Sequence, residues 1–199
     1  MLADAMMKLK DSLSCITYNG AQHTHIQIDE TDAAAELKKV VLKAPNGDWF
    51  SFDPDQGRKC KRIHQRCNAV VMSPLLAIDG HDHHRACDCV VLVNRGGRLT
   101  VVYIDLKSGN PVRYATQFKS TRQFIRYALG LLEEFHHEKL VIAEERYVVL
   151  HGGKSPLLNK TPSIPKSKKM GESKPDAAYK REVTNPARLH LKELLADYE

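Results

Sequence analysis

The sequence lacks several features, and each absence narrows the classes of protein to which it can belong. No apolar run approaches the roughly 20 residues that a membrane-spanning helix needs. The N-terminal stretch has no continuous apolar segment behind a basic start, as a secretion signal would have. Five cysteines are an odd number, which disfavours a disulfide framework and favours reduced thiols or a metal site. We therefore expect a cytoplasmic protein that does not interact with a membrane.

The composition is that of one folded domain with a polar appendage. The chain has 199 residues, of which 42% are hydrophobic, which suffices for a single core. We predict a domain over residues 1–153, followed by a basic, partly flexible extension over residues 154–199 that ends in a helix beginning near Asn185. The formal charge of +6, from 30 Lys and Arg against 24 Asp and Glu, favours an acidic partner such as nucleic acid.

Hydrophobic periodicity predicts an α/β fold. Residues 32–43 are rich in helix formers and are predicted as a helix. Residues 49–53 alternate like a strand, and residues 90–93 and 99–106 read as two covered strands joined at Gly96 and Gly97. From residue 111 onward apolar residues recur every three or four positions, which predicts a long amphipathic helix. A further strand is expected over residues 146–151.

Two aspartates and a lysine stand beside the two covered strands. If the hairpin turns between Gly96 and Gly97, counting back along both strands places Asp88 opposite Asp105. Like charges on paired residues, about 4.5–5.5 Å apart, are destabilising unless a cation lies between them. Lys107 follows on the same face as Asp105. The arrangement predicts a site for Mg²⁺ or Mn²⁺, and it depends on register, because a slip of one residue would move Asp88 to the other face.

These residues resemble the signature of the PD-(D/E)XK, or restriction-endonuclease-like, nuclease superfamily. That signature is an acid on the second core strand followed by acid-x-Lys on the third. Asp88 matches the first acid, with Cys87 where a proline often stands, and the run from Asp105 to Lys107 matches D-x-K. Gln117 stands where the following helix often carries a glutamine, and Gln123 with Tyr127 forms a competing match. The resemblance covers residues 31–151.

The resemblance implies a central mixed β-sheet flanked by helices and hydrolysis of phosphodiester bonds in DNA, with RNA left open. Asp88, Asp105 and the backbone carbonyl of Leu106 would hold Mg²⁺ or Mn²⁺, and Lys107 would assist the nucleophile. Many members of the superfamily have another acid on the first helix, and Glu36 is the first candidate for it and Glu30 the second. Such a nuclease would suit a prokaryotic defence system or a phage, with its activity controlled by a protein partner or by homo-oligomerisation.

A second group of residues has the types that bind zinc. Cys60, His64 and Cys67 lie close together in sequence, and Cys87 is the fourth ligand considered. Cys89, His81, His83 and His84 are further candidates for that position. The spacing is not C-x-x-C, and free cysteines are ordinary core residues. A structural zinc in a protein-interaction module is therefore one alternative reading of the chain.

Basic residues mark two candidate nucleic-acid contacts. Arg113, Lys119 and Arg122 lie on or beside the polar face of the long helix, where a solvated face explains them equally well. Lys166, Lys168 and Lys169 belong to the Lys- and Pro-rich stretch, which could follow a phosphate backbone without sequence preference. The other alternative reading is a nucleic-acid-binding module on the same fold that does not cleave.

Overall fold

The computed structural model describes residues 2–13, 16–19, 24–55, 72–73, 76, 82–109, 111–153 and 173–195. These residues form an α/β fold, as the sequence predicts. In chain order the elements are α1 (Asp4–Asp11), β1 (Ile16–Asn19), β2 (His25–Asp29), β3 (Lys39–Lys43), β4 (Trp49–Phe52), β5 (Cys89–Arg95), β6 (Arg98–Ser108), α2 (Ala115–His136), β7 (Val141–Gly153), β8 (Tyr179–Thr184), β9 (Ala187–His190) and a 3₁₀ helix (Leu191–Leu194).

A mixed main sheet of six strands has the order β1-β4-β5-β6-β7-β8. Pairing is antiparallel from β1 to β6 and parallel from β6 to β8. The predicted β5–β6 hairpin is confirmed, and its register runs from Arg95 opposite Arg98 to Cys89 opposite Ile104. Gly96 and Gly97 have φ values of 61° and 84°, a left-handed conformation that favours glycine at the turn.

Helices α1 and α2 pack on one face of the main sheet. The predicted long helix is confirmed as α2, which buries Phe118, Ile125 and Leu132 against the sheet. Met6 of α1 belongs to the same core. Apolar side chains recur at every second residue on this face of the strands and with a period of about 3.6 residues along α2. The apolar face of the helix therefore packs on the apolar face of the sheet. In the described chain, neither helix is both long and apolar enough to cross a membrane.

The opposite face of the main sheet is covered by a second sheet of three strands, in the order β2-β3-β9. Ile26, Val40 and Leu189 of this second sheet pack on Val102 and Leu150 of the main sheet. Within the described residues, the expectation that helices flank the sheet is therefore met on one face, and a three-stranded sheet covers the other. On the other face two sheets bury alternate side chains against each other.

The predicted helix over residues 32–43 is wrong. Residues 39–43 are strand β3, which pairs with β2 antiparallel and with β9 in parallel. Val40 and Leu42 are buried while Val41 is half-buried and Lys43 is exposed, so burial follows a period of two. The free energy of burying that face outweighs the helix propensity of the neighbouring alanines and glutamate.

The predicted C-terminal extension is also corrected where the structure describes it. Strand β8 continues the main sheet beside β7, and β9 lies in the second sheet beside β3. The helix predicted from Asn185 is instead strand β9 followed by one 3₁₀ turn. Residues 173–195 are thus integrated into the fold, and residues 154–172 and 196–199 lie outside the described chain.

Gly152 provides a test of the contact between β7 and β8. Its φ is 121°, and a Cβ atom there would lie 2.5 Å from the carbonyl oxygen of Val183. We expect Gly152→Ala to lower the free energy of unfolding by about 1–3 kcal/mol. The matched variant Gly130→Ala, where a Cβ would meet no atom within 4 Å, should be neutral or raise stability by about 0.5–1 kcal/mol, because alanine is the better helix former. Equal urea denaturation midpoints for the two variants would contradict this packing.

Candidate active site

The two aspartates lie together at the end of the β5–β6 hairpin. Asp88 directly precedes β5, and one further step of the observed register places it opposite Asp105. Its carboxylate Oδ2 accepts a hydrogen bond from the backbone N–H of Leu106 at 2.5 Å. The two carboxyl groups are close enough for each to influence the pKa of the other. The β5–β6 register predicted from the sequence thus agrees with the structure, and both acids face the helix-covered side of the sheet.

Lys107 and Gln117 complete a chain of polar contacts that begins at Asp105. The Nζ of Lys107 lies 2.7 Å from Oδ2 of Asp105 and donates a hydrogen bond to Oε1 of Gln117 at 3.1 Å. Gln117 is on the first turn of α2, which passes the C-terminal end of β6. Gln123 and Tyr127 of the competing match both have exposed side chains. The structure therefore brings Gln117, and not the competing pair, to the acids.

Burial determines the electrostatics of the acidic pair. Asp105 is 0% exposed, and this burial raises its pKa to about 6 against the opposing effect of Lys107. Asp88 keeps a partly exposed side chain. Its pKa is nevertheless raised well above the ordinary value, first by desolvation and then by the charge of Asp105. With both carboxyls ionised, neither oxygen of Asp105 accepts a regular hydrogen bond from the described residues. The pair is short of positive charge.

A third acid approaches the pair from the loop between β2 and β3. The charge of Glu30 contributes to the raised pKa of both Asp88 and Asp105. Glu36, which the sequence placed first, has an exposed side chain, and its backbone N–H donates to Oγ of Ser108 at 2.6 Å. Because residues 32–38 are not helical, the helix that was to present Glu36 is absent, and the structure favours Glu30.

The donor set suits a hard divalent cation. Among the described residues no three His, Cys, Asp or Glu side chains form a metal-binding cluster, so the protein offers two carboxylates and the Leu106 carbonyl. Mg²⁺ is commonly bound by one or two carboxylates together with water and substrate phosphate. The buried carboxylate of Asp105, which has the Lys107 ammonium beside it but accepts no regular hydrogen bond from the described residues, is consistent with such a ligand set. Asp88, Asp105 and Leu106 therefore fit Mg²⁺ or Mn²⁺.

His151 is a site residue that the sequence argument missed. In the parallel pairing of β6 with β7, His151 is the partner of Lys107. Val149 packs in the helix-side core, and His151, two residues on, projects from the same face. The half-buried imidazole is thus a neighbour of the lysine. The alternation Tyr147, Val149, His151 was visible in the sequence, but only the register between the two parallel strands connects it to the site.

Little of the proposed zinc site falls within the described chain. Cys60, His64, Cys67 and His81 lie outside it. Cys87 is fully buried in the helix-side core, where its Sγ donates to the carbonyl of Cys89 at 3.5 Å and burial raises the pKa of the thiol. A buried, protonated thiol is a core residue rather than a metal ligand. The structure thus argues against Cys87 as the fourth ligand.

The predicted nucleic-acid contacts are distributed around α2. Arg113, just before the helix, and Lys119, on its second turn, are exposed. Arg122 is half-buried and lines a separate cleft between α2 and β7. Lys166, Lys168 and Lys169 lie in a part of the chain that the structure does not describe.

The raised pKa of Asp105 predicts a dependence of stability on pH. A carboxyl whose pKa is about 6 when folded and 3.8 ordinarily binds its proton more tightly in the folded state, so stability falls as pH rises from about 4 to about 6. Asp105→Asn should reduce this loss, leaving the part that comes from the raised pKa of Asp88, and should be more stable by about 1–3 kcal/mol above pH 6, in EDTA. Urea denaturation from pH 4 to 8 measures it, with the exposed Glu134→Gln as control. Parallel profiles for wild type and Asp105→Asn would contradict the assignment.

Comparisons with known proteins assign no relative to this chain. No family model matches it, and no curated protein and no solved structure shows significant similarity. Any functional conclusion therefore depends on the geometry and the chemistry of the described residues.

Proposed function

We propose that this protein is a metal-dependent nuclease of the PD-(D/E)XK type that hydrolyses phosphodiester bonds, with DNA the first expected substrate and RNA the second. The observation that carries the proposal is the buried carboxylate of Asp105. It faces Asp88 across the β5–β6 hairpin and lies 2.7 Å from Lys107. Two buried carboxyl groups that share a single lysine as counter-ion are costly to fold, which favours a functional role for them.

The order of elements supports this proposal. Helix α1 is followed by the antiparallel strands β4, β5 and β6, then by α2, and then by β7 in parallel with β6. Among the elements just named, this order is α-β-β-β-α-β, which is the order of the core in the nuclease superfamily that the sequence resembles, and the two acids lie at the second and third of those strands. The chain departs from it by inserting β1, β2 and β3 between α1 and β4, and by covering the second face with β2, β3 and β9.

The roles of the residues follow from their positions. Asp88, Asp105 and the Leu106 carbonyl would hold a divalent cation, which supplies Lewis-acid polarisation of phosphate and a lowered pKa of water. With a pKa of about 6, Asp105 is mostly ionised at neutral pH and able to act as a ligand. Gln117 holds the Lys107 ammonium by a hydrogen bond, so that the ammonium can position water or stabilise charge on the phosphate.

Cation binding can be measured without a substrate. We expect Mn²⁺ or Mg²⁺ at neutral pH to raise the melting temperature of the wild-type protein, because a ligand that binds only the folded state stabilises it. Asp88→Asn and Asp105→Asn should abolish the increase, since each removes one carboxylate ligand. The exposed Glu134→Gln is the matched control and should keep the increase. Differential scanning fluorimetry provides the measurement, and an increase retained by both aspartate variants would argue against this cation site.

Cleavage is tested with single- and double-stranded DNA and RNA in Mg²⁺, Mn²⁺ or EDTA. Asp105→Asn and Lys107→Ala should each lower the cleavage rate by roughly 100-fold or more, while Lys192→Ala, an exposed lysine distant in sequence, keeps the wild-type rate. Binding of nucleic acid should persist in Asp105→Asn, because the substitution removes a charge that repels phosphate. Wild-type rates in folded Asp105→Asn and Lys107→Ala proteins would refute the proposed active site.

A further inference from the structure

A second polar cleft lies beside the site but shares none of its residues. It is an open cleft lined by α2, the first half of β7 and residues 173–175, and its volume is about 510 Å³. Arg122, Tyr147 and Lys174 are among its lining residues. Two contacts fix the position of Tyr147. Its backbone N–H donates a hydrogen bond to Oγ of Ser173 at 2.9 Å, and Phe118 packs edge-on against its ring. The cleft wall is therefore well ordered by its own contacts.

The charges lining this cleft are not balanced. Two of its lining residues are acidic, and both are engaged: Glu144 pairs with Arg146, whereas Glu145 accepts a hydrogen bond from the Tyr103 hydroxyl at 3.0 Å and lies 3.4 Å from Arg126. Arg122 and Lys174 line the same cleft, and neither has an ion pair within the described residues. The three basic lining residues thus exceed the two acidic ones by one charge, and Arg122 and Lys174 are the basic lining residues that form no ion pair in the described chain.

Two buried donors in the cleft also lack acceptors. In the described structure, Nε of Arg122 and the hydroxyl of Tyr147 are both buried and make no regular hydrogen bond, although the Arg122 and Glu145 side chains lie close enough to the hydroxyl to shift the pKa of Tyr147. Tyr147 is only 2% exposed, and burial followed by the charge of Glu145 raises its pKa, so the hydroxyl remains a donor at neutral pH. Leaving buried donors unpaired costs free energy, and an anionic acceptor in the cleft would remove that cost.

We propose that this cleft binds the phosphate group of a nucleotide or of a nucleic-acid strand. Arg122 and the Tyr147 hydroxyl donate to phosphate oxygens, and Lys174 supplies the neutralising charge. A tetrahedral phosphate can accept hydrogen bonds from several directions at once, here from groups on α2, β7 and residues 173–175. The planar guanidinium of an arginine can donate two parallel hydrogen bonds to two phosphate oxygens. Phosphate binding in the cleft does not depend on catalysis at Asp105. Only the inference that the phosphate belongs to the substrate strand rests on the proposed nuclease function.

The position of the cleft connects it with the acidic pair. The rings of Tyr147 and Tyr103 stack with centroids 4.9 Å apart. Tyr103 precedes Asp105 by two residues on the same face of β6, a separation of roughly 7 Å along the strand. Arg122 likewise follows Gln117 by five residues, or about 7.5 Å along α2. A strand whose scissile phosphate lies at the acids could therefore place a nearby phosphate in the cleft.

Binding is measured in EDTA at low salt, so that no cleavage can occur. The probes are deoxyadenosine 5′-monophosphate, deoxyadenosine as its phosphate-free control, and a fluorescent single-stranded oligonucleotide without a terminal phosphate. Arg122→Gln should weaken binding of the phosphate-bearing probe at least tenfold, and Tyr147→Phe, which keeps the ring, about threefold or more. The matched control is Arg98→Gln, an exposed arginine at the hairpin turn, which should leave affinity within about twofold.

The probes distinguish the two sources of phosphate. If the mononucleotide binds, the nucleoside does not, and Arg122→Gln weakens that binding, the cleft is a site for a free nucleotide. If Arg122→Gln weakens binding of the oligonucleotide alone, the cleft binds a backbone phosphate. The proposal is overturned if neither probe depends on Arg122, or if Arg98→Gln weakens binding as much. Urea denaturation of Arg122→Gln and Tyr147→Phe confirms that they fold. If binding does not depend on Arg122 but metal-dependent cleavage is observed, the phosphate-site proposal is refuted and the nuclease proposal is retained. If binding depends on Arg122 but no cleavage is observed, the nuclease proposal is refuted and the phosphate-site proposal is retained.

Discussion

The close approach of two carboxyl groups in a desolvated position is the constraint on which the site depends. Asp105 is wholly buried and Asp88 faces it, so each proton released there adds repulsion that water cannot screen. Among the described residues, the Lys107 ammonium, at 2.7 Å from Asp105, and the Leu106 N–H, bonded to Asp88, offset it. Both offsetting groups are on β6 itself. A one-residue slip of the hairpin would separate the two acids from each other and Asp88 from the Leu106 N–H.

The two layers on either side of the main sheet both supply groups to this position. On the helical side, α2 begins where β6 ends, and its first turn presents Gln117 to Lys107. From the other layer, the loop after β2 brings the charge of Glu30 to the acids. That loop is fixed to β6, because Oγ of Ser108 accepts the backbone N–H of Glu36. The second sheet therefore does more than cover a face, since its loop adds to the negative charge that a cation would neutralise.

The parts that the sequence predicted are those determined by neighbours close along the chain. The Gly96–Gly97 turn fixes which residues of β5 and β6 are paired, and the apolar period of α2 is local. The parts that it did not predict depend on distant partners. Residue Val40 pairs with Ala187 in the second sheet, so the local helix propensity before it was misleading. His151 adjoins Lys107 only through the parallel β6–β7 register, and the Arg122 cleft exists only once residues 173–175 pack beside β7.

The stacked Tyr103 and Tyr147 rings separate two environments of opposite charge. Tyr103 is held by Glu145 and Tyr147 packs against Phe118, so this aromatic pair is a rigid part of the helix-side core. On one side of it the carboxylates of Asp88 and Asp105 repel phosphate, and on the other Arg122 and Lys174 attract it. Under the proposed function, an anionic strand would bind at the cleft without a cation and reach the acids only when their charge is neutralised. Association and chemistry would then depend on metal to different extents, because the groups responsible for each are held apart by the same core residues.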